Sequence, residues 1–118
     1  MASTGAKLQP DRRSAERWWC SHLVTITGFL ASAASQTVNM ENISAGGVCI
    51  AAETPFDIGD PLHLQTAGFV TAVTVAYCNV RQDDFAVGLA FENGFRWSPD
   101  IWKPDHLLRP AGSPIADD

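Results

Sequence analysis

Residues 18–28 alternate without a break. Trp18, Cys20, His22, Val24 and Ile26 fall on one face, and Trp19, Ser21, Leu23, Thr25 and Thr27 on the other. A side-chain period of two is that of a strand, so a first strand is expected from Trp18 to Gly28. Residues 29–35 lose the alternation and read as a loop. A short strand over Gln36–Glu41 then leads into an Asn42-Ile43-Ser44 turn, and Val48–Ala52 is the next strand. Residues 54–61 are rich in turn formers, with Asp57 and Asp60 as turn residues. Leu62–Thr66 alternates again, and Ala67-Gly68 is a hairpin turn. Phe69–Val80 is rich in Val and Thr, residues suited to a pleated surface. Arg81-Gln82-Asp83-Asp84 is a polar hairpin tip, after which Phe85, Val87, Leu89 and Phe91 share one face of a last strand.

The pattern changes after that strand. Ser98-Pro99-Asp100 carries a capping hydroxyl, a proline at a first helical position and an acid in a first turn. One or two short helical turns are expected over Ile101–Leu108, limited by Pro104. Trp97, Ile101, Trp102, Leu107 and Leu108 give this segment apolar surface to pack on the strands, with Trp97 and Trp102 as anchors. Residues 1–11 read as a flexible arm, residues 12–109 as one folded domain with its helical tail, and residues 110–118 as a frayed end. Six or so consecutive strands without intervening helices describe an antiparallel barrel or sandwich. Barrel closure would hide the strand edges of so small a domain.

At 118 residues, 46% of them hydrophobic and 18% charged, the chain is long and apolar enough to fold around one core. No run reaches the length of a membrane span, and no signal-peptide pattern opens the chain. A cytoplasmic protein without membrane insertion is the expectation. Cys20, Cys49 and Cys78 are widely spaced, odd in number and without a Cys-x-x-Cys pair, so they read as reduced, small apolar residues. His22, His63 and His106 are scattered and suggest no metal site. No catalytic constellation, phosphate loop or cofactor motif is present in the sequence, so an enzyme is not expected. Trp18 and Trp19 are expected to pack in the core.

Charge is uneven. The net charge is −5, but residues 1–20 carry +2 and the remainder −7. A local basic patch on an acidic body suits a small anion better than DNA or RNA, which call for a broad basic face and an exposed aromatic platform.

Two polar clusters supply candidate chemistry. Arg12-Arg13-Ser14-Ala15-Glu16-Arg17 offers planar guanidinium forks, which meet a phosphate in two bonds or read the O6 and N7 edge of guanine. Asn42-Ile43-Ser44-Ala45-Gly46-Gly47 offers an amide that can brace a turn, a small hydroxyl, and two glycines that permit positive φ and close backbone approach. An anionic ligand with a planar group, such as a guanine nucleotide, suits both.

The order Arg13-x-x-x-Arg17, then Asn42-x-Ser44-x-x-Gly47, resembles the ligand signature of the PilZ family of cyclic di-GMP receptors. Phe56-Asp57-Ile58-Gly59-Asp60 and Val87-Gly88-Leu89-Ala90-Phe91 are similar to a loop and to the closing strand of that family, so the resemblance spans residues 12 to about 92. It implies an all-β, six-stranded antiparallel β-barrel with a short C-terminal helix. It further implies a cyclic di-GMP site drawn from Arg12, Arg13, Arg17, Asn42, Ser44, Gly46 and Gly47. An arginine at position 12 goes, in that family, with a self-intercalated ligand dimer, which implies two ligands per chain. The expected role is a bacterial receptor that signals to an effector protein when its N-terminal arm orders over the barrel. The alternative is an interaction adaptor of the same fold that binds no nucleotide.

Overall fold

The computed structural model describes residues 16–28 and 35–108. Six strands follow one another: β1 (Trp18–Gly28), β2 (Ser35–Ser44), β3 (Gly47–Ala52), β4 (Pro61–Thr66), β5 (Phe69–Val80) and β6 (Phe85–Phe91). They close into an antiparallel barrel in the order β1–β2–β3–β6–β5–β4. The closing seam pairs Thr25 with Gln65 and Gly28 with Leu62. Closure gives each strand a partner on both sides; β1 meets β4 only over Thr25–Gly28, and Trp19 and Ser21 before that seam bond to the C-terminal segment instead.

The inward face is built by the alternation visible in the sequence. Val24 and Ile26 of β1, Val38 and Met40 of β2, Val48 and Ile50 of β3, and Val87 and Leu89 of β6 are all buried. Trp97 plugs one end of this core, its ring edge-on to Trp18 at 6.1 Å between centroids. Burying a residue such as Ile50 stabilises the barrel by about 2–5 kcal/mol relative to alanine.

Period-two reasoning fails at two places, both of them β-bulges. In β2, Met40 lies opposite Ile50 and Asn42 opposite Cys49, so Glu41 is an extra residue with no partner on β3. A bulge shifts the phase of alternation by one. Met40 and Ile43 therefore both enter the core, while Asn42 and Ser44 go to the outer wall. The strand runs on through Ser44, beyond the Gln36–Glu41 expected, and Asn42-Ile43-Ser44 is strand and not turn. In β5, Val75 lies opposite Leu89 and Tyr77 opposite Gly88, which leaves Ala76 as the extra residue and turns Tyr77 outward.

No helix occurs among the described residues, which corrects the expected helical turns over Ile101–Leu108. Ser98 does act as a local cap, accepting from the Asp100 N–H at 3.3 Å, and one turn closes from Ile101 N–H to Ser98 O at 2.9 Å. Pro104 supplies no N–H for continuation and disfavours helical backbone at Lys103. The segment bonds to the barrel instead. Asp105 N–H donates to His22 Nδ1 at 3.0 Å, Ser21 N–H to Asp105 O at 3.2 Å, and Leu108 N–H to Trp19 O at 2.8 Å. Trp97 and Trp102 do anchor the segment, through a bond of 2.8 Å from Trp97 Nε1–H to the Trp102 carbonyl. Ile101 and Leu108 stay exposed, and so does Trp19, which corrects its expected place in the core.

Asp57 and Asp60 form a turn, closed by Asp60 N–H to Asp57 O at 3.1 Å. The arm over 1–11, Arg12, Arg13, most of the expected 29–35 loop and the 110–118 tail lie outside the described residues.

Candidate functional site

The β2 bulge places Asn42 on the outer wall, opposite Cys49 of β3. Cys49 lies opposite Gly88 of β6, and Gly88 opposite Tyr77 of β5. These four form one row across four strands. The parallel row is Ser44, Gly47, Ala90 and Thr74.

Most of these residues are small, and the smallness is required. A Cβ on Gly88 would stand 2.1 Å from the Tyr77 ring, which lies flat across that glycine. A Cβ on Gly47 would stand 2.2 Å from the Leu89 carbonyl oxygen. Neither Gly46 nor Gly47 has a positive φ, which corrects that expectation. Gly47 is needed for close approach, and Gly46 faces open space.

The result is a pocket of about 200 Å³ on the barrel wall. Gly47, Gly88 and Ala90 help form its surface, together with Ala76 and Tyr77 from the β5 bulge, and Arg17, Ser44 and Gly46 also line it. Arg17 Nη1–H donates to Asn42 Oδ1 at 2.7 Å. That bond takes one of the five N–H donors of the guanidinium. The amide is thus used to hold an arginine and not to brace a turn. Ser44 Oγ accepts from Gly46 N–H at 3.3 Å and donates to Gly47 O at 3.4 Å, long bonds that stitch the Ala45-Gly46 turn. The turn is also tied down from outside, by Phe91 N–H to Gly46 O at 2.9 Å and Trp97 N–H to Ala45 O at 3.0 Å.

Burial pushes the Cys49 thiol above its ordinary value, against the lowering effect of a hydrogen bond with the Tyr77 side chain. Tyr77 is raised as well, by burial first and by that hydrogen bond second. Both groups are neutral near pH 7, so the wall carries no ionised thiol or phenol facing an anion. Among the described residues no cluster of three His, Cys, Asp or Glu side chains could hold a metal ion.

Of the candidate residues, the fold brings Arg17, Asn42, Ser44, Gly46 and Gly47 together; Arg12 and Arg13 lie outside the described residues. Sequence reasoning missed Tyr77, Gly88 and Cys49. A tyrosine breaking a Val-rich strand opposite a mid-strand glycine was the available signal, but it needs the register of β5 on β6 to be read.

A family model described as PilZ domain matches residues 11–95. The chain belongs to the PilZ family. Among solved structures, the PilZ domain with c-di-GMP of YcgR from Escherichia coli is similar, at 16% sequence identity with a TM-score of 0.56. The match covers 76% of this chain and 82% of that one, and at this identity it speaks to the fold. No curated protein sequence matches this PilZ chain.

No helix among the described residues is long and apolar enough to cross a membrane.

Proposed function

We propose that this PilZ domain is a receptor for cyclic di-GMP. The observation that carries the reading is the Arg17–Asn42 pair beside a pocket formed partly by glycine backbone, reached only because a bulge turns Asn42 and Ser44 outward. A fork held by one nitrogen keeps its other donors for a phosphate or a guanine edge. Glycine backbone lets a ligand approach closely. The solved PilZ domain of YcgR, similar in fold, is one with c-di-GMP.

In this reading Arg12, Arg13 and Arg17 hold the ligand from the N-terminal side, and Asn42, Ser44, Gly46 and Gly47 from the wall. Arg12 supports a doubled ligand, because a stacked pair presents more phosphates. The output is a conformational signal: the arm orders over the barrel and offers new surface to an effector protein, in the cytoplasm and without catalysis or a cofactor. The acidic remainder of the domain speaks against DNA or RNA.

Calorimetric titration with cyclic di-GMP tests the reading. The expected result is saturable binding, two ligands per chain, and a preference over cyclic di-AMP, whose adenine replaces the O6 acceptor with a donor. Absence of binding turns the reading to the adaptor alternative, and one ligand per chain removes the role given to Arg12. Hydrogen exchange of residues 8–18 with and without ligand tests the switch, which requires protection to appear on binding.

A further inference from the structure

The bulge that turns Asn42 outward also sets an acid beside it. Glu41 is the extra residue, next to Asn42 and one row from Cys49. A carboxylate here works against an anion site: Glu41 raises both Cys49 and Tyr77, the groups at the centre of the wall, while Arg17 lowers both. Its charge is met from the far side of the wall. Arg81 follows β5 directly and donates to both Glu41 oxygens, Nη1–H to Oε1 at 2.9 Å and Nη2–H to Oε2 at 3.0 Å. Asp84 fixes the same guanidinium, accepting from Nε–H at 2.7 Å and from Nη2–H at 2.9 Å. The neighbouring cross-strand row is Asn79, Ala86, Ala51 and Asn39, so the strands between Arg81 and Glu41 carry small residues there. A two-bond fork across small residues fixes direction as well as charge.

We propose that Arg81 is a positioning residue of the ligand site: it holds the Glu41 carboxylate in a two-bond fork and offsets part of its charge, so that the bulge residue beside Asn42 repels the ligand phosphates less. This rests on the cyclic di-GMP reading above. Arg81 touches no ligand in this account. It acts through Glu41, and Asp84 holds it in place.

The test is a set of calorimetric titrations with cyclic di-GMP on the whole chain, for wild type, Arg81→Gln, Arg81→Lys, Glu41→Gln and the double variant Arg81→Gln/Glu41→Gln. Arg81→Gln is expected to bind about tenfold more weakly at low salt, as for one exposed carboxylate several ångströms from a phosphate. The deficit should shrink as ionic strength shortens the screening length. Glu41→Gln should bind at least as tightly as wild type, and Arg81→Lys should keep most of the affinity. The double variant should return to within about threefold of wild type, because the carboxylate that Arg81 offsets is gone.

Thermal melting of each variant separates loss of fold from loss of charge balance. A double variant as weak as Arg81→Gln, or an Arg81→Gln affinity equal to wild type, overturns the inference and leaves the receptor reading standing. Failure of the wild type to bind overturns both.

Discussion

Two hairpins of this barrel carry polar residues, and they are held in opposite ways. The β2–β3 turn is neutral and built into the fold. Its Ala45 and Gly46 carbonyls accept bonds from Trp97 and Phe91, its Ser44 is buried, and its Gly47 has backbone where a side chain would stand. The β5–β6 turn is exposed and held by charge, through Arg81 with Glu41 and Asp84, with one backbone bond from Arg81 N–H to Asp84 O at 2.8 Å. The first turn is therefore sensitive to volume and indifferent to pH. The second should tolerate volume and respond to pH and salt.

The largest effect is expected at Gly47. Gly47→Val drives a branched side chain into the Leu89 carbonyl and should destabilise the barrel by about 3 kcal/mol in urea unfolding, with loss of ligand binding. Gly46→Ala, one residue away and facing open space, should stay within about 0.5 kcal/mol of wild type. Equal effects at the two glycines would mean the close approach on Leu89 is not what selects Gly47.

Next comes Arg17, where binding and stability should separate. Arg17→Ala should weaken cyclic di-GMP binding by about 1.5–3 kcal/mol in calorimetry, as for a lost charge-assisted contact. Its side chain is exposed, so the melting temperature without ligand should barely move. A large drop in that temperature would assign Arg17 to the structure of the turn and not to a ligand.

Ser44→Ala should cost about 1 kcal/mol of stability, because the two bonds by which the buried hydroxyl stitches the turn are lost. It should also weaken binding with the fold intact. Two-dimensional spectra showing undisturbed turn resonances in the variant would place the hydroxyl outside the stitching of the turn.

The smallest effect is expected at the charged hairpin. A hydrogen bond from Arg81 holds the Asp84 carboxyl below its ordinary value. A depressed carboxyl contributes stability above its unfolded value near pH 4, and the contribution is lost as pH falls through the folded value. Asp84→Asn should therefore lower the melting temperature slightly at pH 7 and not at all near pH 2, and added salt should narrow the difference at pH 7. A difference that persists near pH 2 would mean packing and not charge holds this turn.

Much of the barrel was legible because a half-buried strand writes its period into one stretch of chain. The extent of β1 and the inward face of β6 follow from local alternation, the Ala67-Gly68 turn from its turn residues, and the length of β5 from its Val and Thr content. The tail departs from its expected helical turns for a related reason. Ser98-Pro99-Asp100 is a real cap signal, but a cap needs a helix to continue, and the N–H groups beyond it found partners on β1. Trp19 alternates with Trp18 and so lies on the outer face, exposed, where a core position was expected.

Local sequence determined where the strands run, which residues are apolar enough for the core, and that arginines and an Asn-x-Ser-x-x-Gly run bracket one hairpin. Tertiary structure decided which way the polar residues of that run face. Counted in twos from Val38 and Met40, Asn42 and Ser44 belong in the core; counted from Val73 and Val75, so does Tyr77. Bulges at Glu41 and Ala76 reverse both, and put Asn42, Ser44 and Tyr77 on one outer wall. A bulge exists only between two strands, as a mismatch in how many residues each spends on the same length of ladder. No single stretch of sequence contains that count, so the wall that carries the site emerges only when the barrel closes.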